Sequence, residues 1–229
     1  MWYFRALHGH VERALDVALA ADSGTVLDAG CGTGGLIRRL APRHARWRWT
    51  GLDVEPMACE FARERAVGVE ILEASVTALP LGDAMFDAVV SADVLYHVDD
   101  DAAALREFFR VLRPGGSLVI NVPAYRWLWS YHDAAVQGRR RYGRGEVFAK
   151  LRAAGFAGTR ATHWNALPLP FVVARRKLLP PQVSGSDVRL YPTPVEAAFN
   201  AAMALERAWL EAFGSLPFGS SLFAVARKP

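Results

Sequence analysis

Four glycines fall within six residues, Gly30, Gly32, Gly34 and Gly35, directly after the strand-like run TVLDA at 25–29. With no Cβ, the backbone there can approach a ligand closely, and the N–H groups that open the next helix can face it. Gly30, Gly32 and Gly35 satisfy the dinucleotide pattern G-x-G-x-x-G, and Asp53 follows about 20 residues later, where a ribose-binding acid belongs. The pattern alone does not separate a dinucleotide site from a tight strand-to-helix turn, although a turn needs fewer glycines.

Proton transfer would fall to a histidine. His97 follows the fourth strand-like run, His163 sits in a predicted strand beside Trp164, and His132 lies in the aromatic and arginine-rich stretch AYRWLWSYHDAAVQGRRRYGR at 124–144. His163 reads as a buried structural histidine. His132 is placed on a loop after the fifth strand, at the sheet edge where ligands bind in open α/β folds, and is the candidate base. In an extended segment Trp127, Trp129 and Tyr131 share one face, toward a pocket, and Arg139, Arg140 and Arg141, with Tyr142 beside them, could hold a carboxylate or phosphate. No metal site is expected: His8 and His10 stand isolated, and no H-E-x-x-H occurs. The two cysteines, Cys31 and Cys59, exclude a disulfide framework and suit a reducing compartment.

The elements that must position these residues alternate. Leu7, Val11, Leu15 and Leu19 predict an opening helix over 4–21. Strands are predicted at 25–29, 47–54, 69–75, 86–93 and 117–123, with helices between them, one opened by Pro56 and another by Asp99, Asp100 and Asp101. That rhythm argues for a parallel sheet covered on both faces. A helix at 144–154 and a strand at 158–164 follow, and 165–218 interrupt the alternation before a last strand in SSLFAVARK. Within that insertion Thr193 reads as a helix cap, Pro194 as its first turn and Glu196 as the partner in a capping box. Phe199, Ala202, Leu205, Trp209 and Phe213 form its apolar stripe, and Gly214 ends it.

The chain of 229 residues, 52% apolar and 22% charged, has a globular composition, and its net charge of +4 permits an anionic partner without requiring one. Charges break the N-terminal run, so no signal peptide is expected, and ALPLPFVVARRKLLPP at 166–181 is too short and basic to span a bilayer. A soluble, cytoplasmic protein is expected, as monomer or homodimer.

Asp28 two residues before Gly30, Asp53 closing the second strand, and the runs EASVTALPLGDAMFDAVVSADVLYHV and ALREFFRVLRPGGSLVI resemble the class I S-adenosylmethionine-dependent methyltransferases over about residues 25 to 122. The resemblance implies a Rossmann-like α/β fold: a seven-stranded, mostly parallel sheet with the last strand antiparallel and helices on both faces. The helical insertion before that strand departs from the minimal family pattern. The resemblance also implies that the loop from Asp28 through Gly30, Cys31 and Gly32 to Gly34 wraps the methionine end of S-adenosylmethionine. It gives Asp53, with Val54 beside it, the ribose hydroxyls, puts Ser75 and Val76 beside adenine, and places Ala92 and Asp93 near the methyl group. His97 becomes a wall of the site first and a base second. WYFRALHGHVERAL and the later H-D…R-R-Y element look like a bacterial type 11/12-like subgroup, which suggests that Trp2, Tyr3 and Phe4 cover the cofactor.

The implied function is methyl transfer to a small-molecule or lipid-like acceptor, anionic if the arginines meet it, with an oxygen nucleophile favoured over nitrogen. Alternatives are a non-catalytic cofactor-binding or scaffold protein, and an enzyme that keeps the cofactor bound while catalysing a cyclisation or elimination. Nucleic acid is not an expected partner, because the fourth strand ends in SADV rather than the N/D-P-P-Y/F of base-amino methyltransferases. Peripheral membrane contact has support in PFVVARRKLLPP. One domain is expected over 1–229, with a capping helix at 1–22, a cofactor core at 23–122, a substrate lid at 123–143 and the insertion at 165–218.

Overall fold

The computed structural model describes residues 1–19, 23–178, 187 and 190–229. The chain opens with helix α1 (Trp2–Ala18), which buries Leu7, Val11 and Leu15. The classical alternation follows as β1 (Gly24–Ala29), α2 (Gly35–Leu40), β2 (Trp47–Asp53), α3 (Pro56–Arg65), β3 (Glu70–Glu73), β4 (Phe86–Ala92), α4 (Asp101–Val111) and β5 (Leu112–Pro123). Then come α5 (Tyr131–Ala135), α6 (Arg144–Ala153), β6 (Ala157–Trp164), α7 (Leu169–Val173), α8 (Thr193–Phe213) and β7 (Ser221–Arg227).

The seven strands form one sheet in the order β3-β2-β1-β4-β5-β7-β6. β1 to β5 pair in parallel, and β7 runs antiparallel to both β5 and β6. The central strands are buried on both faces: Leu27 and Val89 join one apolar cluster, Val26, Ala88 and Val90 the other. From β1 the chain winds outward to β3, then returns to β4 on the other side of β1. Loops leaving the carboxyl ends of β1 and β4 therefore diverge and open a crevice.

The insertion differs from its expectation in two ways. Pro192, not Thr193, occupies the cap of α8. Glu196 accepts the backbone N–H of Trp2 (2.9 Å) instead of closing a capping box, so the helix start is spent on docking α1. Phe199 and Ala202 pack against the core, but Leu205, Trp209 and Phe213 are exposed. The inward face is set by Met203 and by Glu206, a buried carboxylate that accepts N–H groups of Asn165 (2.8 Å) and Leu167 (2.7 Å). Gly214 ends the helix at φ 77°, a left-handed cap that favours glycine. Part of the expected opening helix (20–22) and the end of PFVVARRKLLPP (179–181) lie outside the described residues. Among the described residues, no helix is long and apolar enough to cross a membrane.

Candidate active site

The glycine loop is tied to the end of β2. Gly30 and Cys31 donate their N–H groups to the Leu52 carbonyl (2.7 and 2.9 Å), and Gly32 donates to Asp53 Oδ2 (2.7 Å). Gly30 sits at φ 90°, and a Cβ there would fall 2.2 Å from Val94 Cγ2, so only glycine fits. Gly34, also left-handed, caps α2. Cys31 is buried below the loop, and burial pushes its thiol far above the ordinary range. Asp28 is buried as well, and among the described residues its Oδ2 has no hydrogen-bond partner. Burial first, and then the Asp53 charge, raise the Asp28 carboxyl to about 7.

Across the crevice, Asp93 directly follows β4 and is held at φ 57°. Its Oδ2 accepts the Tyr3 hydroxyl (2.9 Å) and its Oδ1 accepts Asn121 Nδ2 (2.7 Å). Asn121 Oδ1 in turn accepts the Trp164 indole N–H (2.7 Å), and Tyr3 stacks on Trp164 with ring centroids 5.0 Å apart. One polar chain thus ties α1, β4, β5 and β6 together. Burial raises Asp93 to about 6, against the hydrogen bonds of Tyr3 and Asn121. Sequence reading assigned Tyr3 a covering role and missed Asn121. The available signal was an amide inside the otherwise apolar SLVINVP, since a polar residue on a buried strand needs partners.

Between these two walls lies a cavity of about 540 Å³, within the range of small-molecule sites. Ala92, Asp28 and Asp93 line it from the sheet, Trp2, Tyr3 and Phe4 from α1, and Phe171, Arg175, Arg176 and Phe199 from the insertion.

The stretch 124–144 departs from the extended lid. A turn of 3-10 helix at Arg126–Leu128 buries Leu128 and turns Trp127 outward, 55% exposed and stacked on Tyr125 rather than lining the cavity. Ser130 then opens α5, with Asp133 closing a reciprocal capping box. Tyr131 donates to Asp187 (2.8 Å). The three arginines separate. Arg139 pairs with Asp99 (3.4 Å), and Arg140 donates to the Asp99 carbonyl (2.7 Å), so both serve the start of α4, where three aspartates gather charge. Arg141 alone reaches the cavity, with Nε donating to Asp133 (2.7 Å) and Nη1 to the Ala124 carbonyl (2.9 Å). Tyr142 is buried, its hydroxyl 2.8 Å from Asp101 and 3.0 Å from the Leu95 carbonyl, and contributes packing to the core rather than a surface to the cavity.

His132 does line the cavity, but its role changes. Its Nδ1 accepts the backbone N–H of Asp187 (3.0 Å), which places the proton of the neutral ring on Nε2. Burial, and then the Arg176 charge, lower it to about 4, so near neutrality the ring is uncharged and its Nδ1 lone pair is already taken. His163 is buried and stacks on Tyr125 at 5.2 Å, as a structural histidine would.

Residues 27–120 match the methyltransferase domain family. Over that core the chain is similar to the methyltransferase domain family. The chain is 36% identical over 131 residues to malonyl-[acyl-carrier protein] O-methyltransferase of Serratia marcescens, covering 56% of this chain and 51% of that one. It is 39% identical over 112 residues to demethylmenaquinone methyltransferase of Thermus thermophilus, covering 47% and 51%. The chain thus spans about half the length of these curated relatives. In fold it is similar to the solved [4+2]-cyclase SpnF, with a TM-score of 0.63, 24% identity, and coverage of 96% of this chain and 80% of that one.

Asp53, Val54, Ser75 and Val76 are not part of the cavity lining; Asp53 closes β2, Val54 follows it, and Ser75 and Val76 follow β3. Asp53 Oδ1 accepts the Glu55 N–H (3.0 Å), completing a carboxylate that organises both its own turn and the glycine loop. Val54 is exposed, Val76 is buried in the core, and Ser75 Oγ lies 2.8 Å from Thr77 Oγ1. His97 is exposed in a short turn, outside the cavity lining, with Nδ1 3.3 Å from the Gln137 carbonyl; Asp53 is among the charges acting on it.

Proposed function

We propose that this methyltransferase domain binds S-adenosylmethionine across the carboxyl ends of β1 and β2 and transfers its methyl group to an oxygen of a small-molecule acceptor held in the cavity. The observation that carries this reading is the buried Asp28 Oδ2, which has no partner among the described residues, beside a loop with no room for a Cβ at Gly30. A buried carboxylate oxygen without a donor is costly, and the ammonium of a methionine moiety is the kind of donor it lacks. The family resemblance supports Asp53 at the ribose and Ser75 and Val76 at adenine. When bound, S-adenosylmethionine supplies a methyl group already activated by its sulfonium.

The chain's own part is then to hold the acceptor in line, exclude water and take a proton from the attacking hydroxyl. The geometry favours Asp93 over His132 for that last task. Asp93 lines the cavity, is held by Tyr3 and Asn121, and has its acidity moved to about 6, so it is ionised near neutrality yet basic enough to share a proton. His132 lines the cavity with its Nδ1 already taken by the Asp187 N–H, and contributes to the wall rather than to proton removal. The name of the Serratia relative, an O-methyltransferase, supports an oxygen acceptor.

S-adenosylhomocysteine is expected to raise the melting temperature, by an amount equivalent to about 2.7 kcal/mol at about 100 times its Kd, and NAD to leave it unchanged. Stabilisation by NAD alone would overturn the assignment.

Asp28 adds a pH signature. With its folded-state acidity near 7, against about 3.9 in the unfolded chain, the ligand-free protein loses stability as pH rises from about 4 through about 7. Binding a cation ionises Asp28, so S-adenosylmethionine binding should release a proton and tighten about tenfold between about pH 6 and about pH 8. Calorimetry in two buffers of different ionisation enthalpy reads this directly. An Asp28→Asn variant should lose the proton release; a flat affinity profile for the unaltered protein would remove Asp28 from the cation site.

A further inference from the structure

The insertion brings more positive than negative charge to the cavity. Arg175 and Arg176, in the π-turn that follows α7, donate through their Nε atoms to the two oxygens of one carboxylate, Asp187 (3.0 and 2.9 Å). Tyr131 donates to that same carboxylate. Arg141 takes Asp133. Three guanidiniums that line one cavity thus share two carboxylates as ion-pair partners.

Two of the three are well buried, with side chains 3% exposed at Arg141 and 10% at Arg176, and the Arg176 charge is among those that disfavour charge on Arg141. Asp93 also lines the cavity and interacts with Arg141, whereas Arg175 and Arg176 have Asp187 alone as their ion-pair partner among the described residues. Two guanidiniums on the single carboxylate of Asp187 leave a local positive surplus that an anion would complete. Among the described residues, the hydrogen bonds of Arg175 and Arg176 run through Nε alone, which leaves the paired Nη groups of each fork for a ligand. Beside them the cavity is apolar. Phe171 and Phe199 meet edge to face at 5.5 Å, and Trp2 lies 4.7 Å from Phe199.

We propose that the acceptor is an amphipathic organic anion, its carboxylate or phosphate bound by the Nη groups of Arg175 and Arg176 and its apolar body laid against Trp2, Phe171 and Phe199. The proposal rests on the methyl-transfer reading for the cavity's role as the acceptor site, but the anion preference can be measured without turnover.

Calorimetric titration of the full chain, with and without saturating S-adenosylhomocysteine, would compare octanoate, octyl phosphate and 1-octanol. The two anions, or one of them, should bind at least about tenfold more tightly than the alcohol, the gain expected of charge-assisted hydrogen bonds. The tighter anion identifies the head group. Arg176→Met should bring the anions down to the level of octanol with S-adenosylhomocysteine affinity unchanged, while Arg176→Lys, which keeps the charge, should retain a measurable preference. Octanol binding as tightly as both anions, absence of anion binding, or an undiminished preference in Arg176→Met would overturn the proposal. Failure of S-adenosylhomocysteine to bind would instead sink the cofactor reading, and the anion titration without it would still decide the arginine site.

Discussion

Replacing Asp53 by alanine is expected to weaken S-adenosylhomocysteine binding by at least about tenfold, because a single charge-assisted hydrogen bond contributes about 1.5–3 kcal/mol. Two effects converge on this carboxylate. It accepts the Gly32 N–H at 2.7 Å and the Glu55 N–H at 3.0 Å, so its loss releases the glycine loop proposed to wrap the methionine end. It is also the acid proposed to meet the ribose hydroxyls. Titration with adenosine, which has the ribose but no methionine, separates the two. A direct ribose contact predicts that adenosine also binds less tightly to Asp53→Ala, whereas an effect through the loop alone spares adenosine. Asp53→Asn, which keeps one acceptor oxygen and loses the charge, should fall between. Unchanged affinity of Asp53→Ala for S-adenosylhomocysteine would remove this residue from the site.

The largest loss of stability is expected from Asp133→Ala. Asp133 and Arg141 are a buried ion pair, with side chains 2% and 3% exposed and 2.7 Å between Oδ1 and Nε. Removing the carboxylate leaves a guanidinium in the interior with no counter-ion of its own, a defect that costs about 3–5 kcal/mol. The other oxygen of Asp133 accepts the Ser130 N–H at 2.9 Å, so the cap of α5 is lost as well. For a chain of this size the melting temperature should fall by on the order of 10 °C. Urea unfolding would measure the loss, and pairing the change with Arg141→Met should recover most of it, since an apolar pair of similar volume avoids the desolvation of both charges. A loss below about 1 kcal/mol for Asp133→Ala would show that Arg141 is neutralised by another group.

Much of the architecture was legible because it is local. Val26 and Leu27, Val89 and Val90, and Leu118 to Ile120 are apolar runs of strand length, and the segments between them carry helical spacing and start signals such as Pro56 and Asp100. The glycine loop was equally plain, since a left-handed turn that presses against Val94 demands glycine at position 30 whatever surrounds the rest of the chain. Such signals report backbone conformation, which short stretches of sequence largely dictate.

The destinations of the polar side chains were not local. Tyr3 meets Asp93 and Trp164 meets Asn121 only because β4, β5 and β6 share a sheet edge on which α1 lies. Three consecutive arginines read as one clamp, yet Arg139 and Arg140 turn to the start of α4 while Arg141 goes inward to Asp133. Trp127 faces outward because Leu128 takes the buried position of that turn. The tautomer of His132 depends on a backbone N–H at Asp187, a residue far along the chain. Sequence by itself determined the alternating sheet, the glycine loop and the resemblance to the methyltransferase domain family. Tertiary structure alone decided which charges face the cavity, because a buried charge goes where a partner offsets its desolvation, and those partners come from elements distant in sequence.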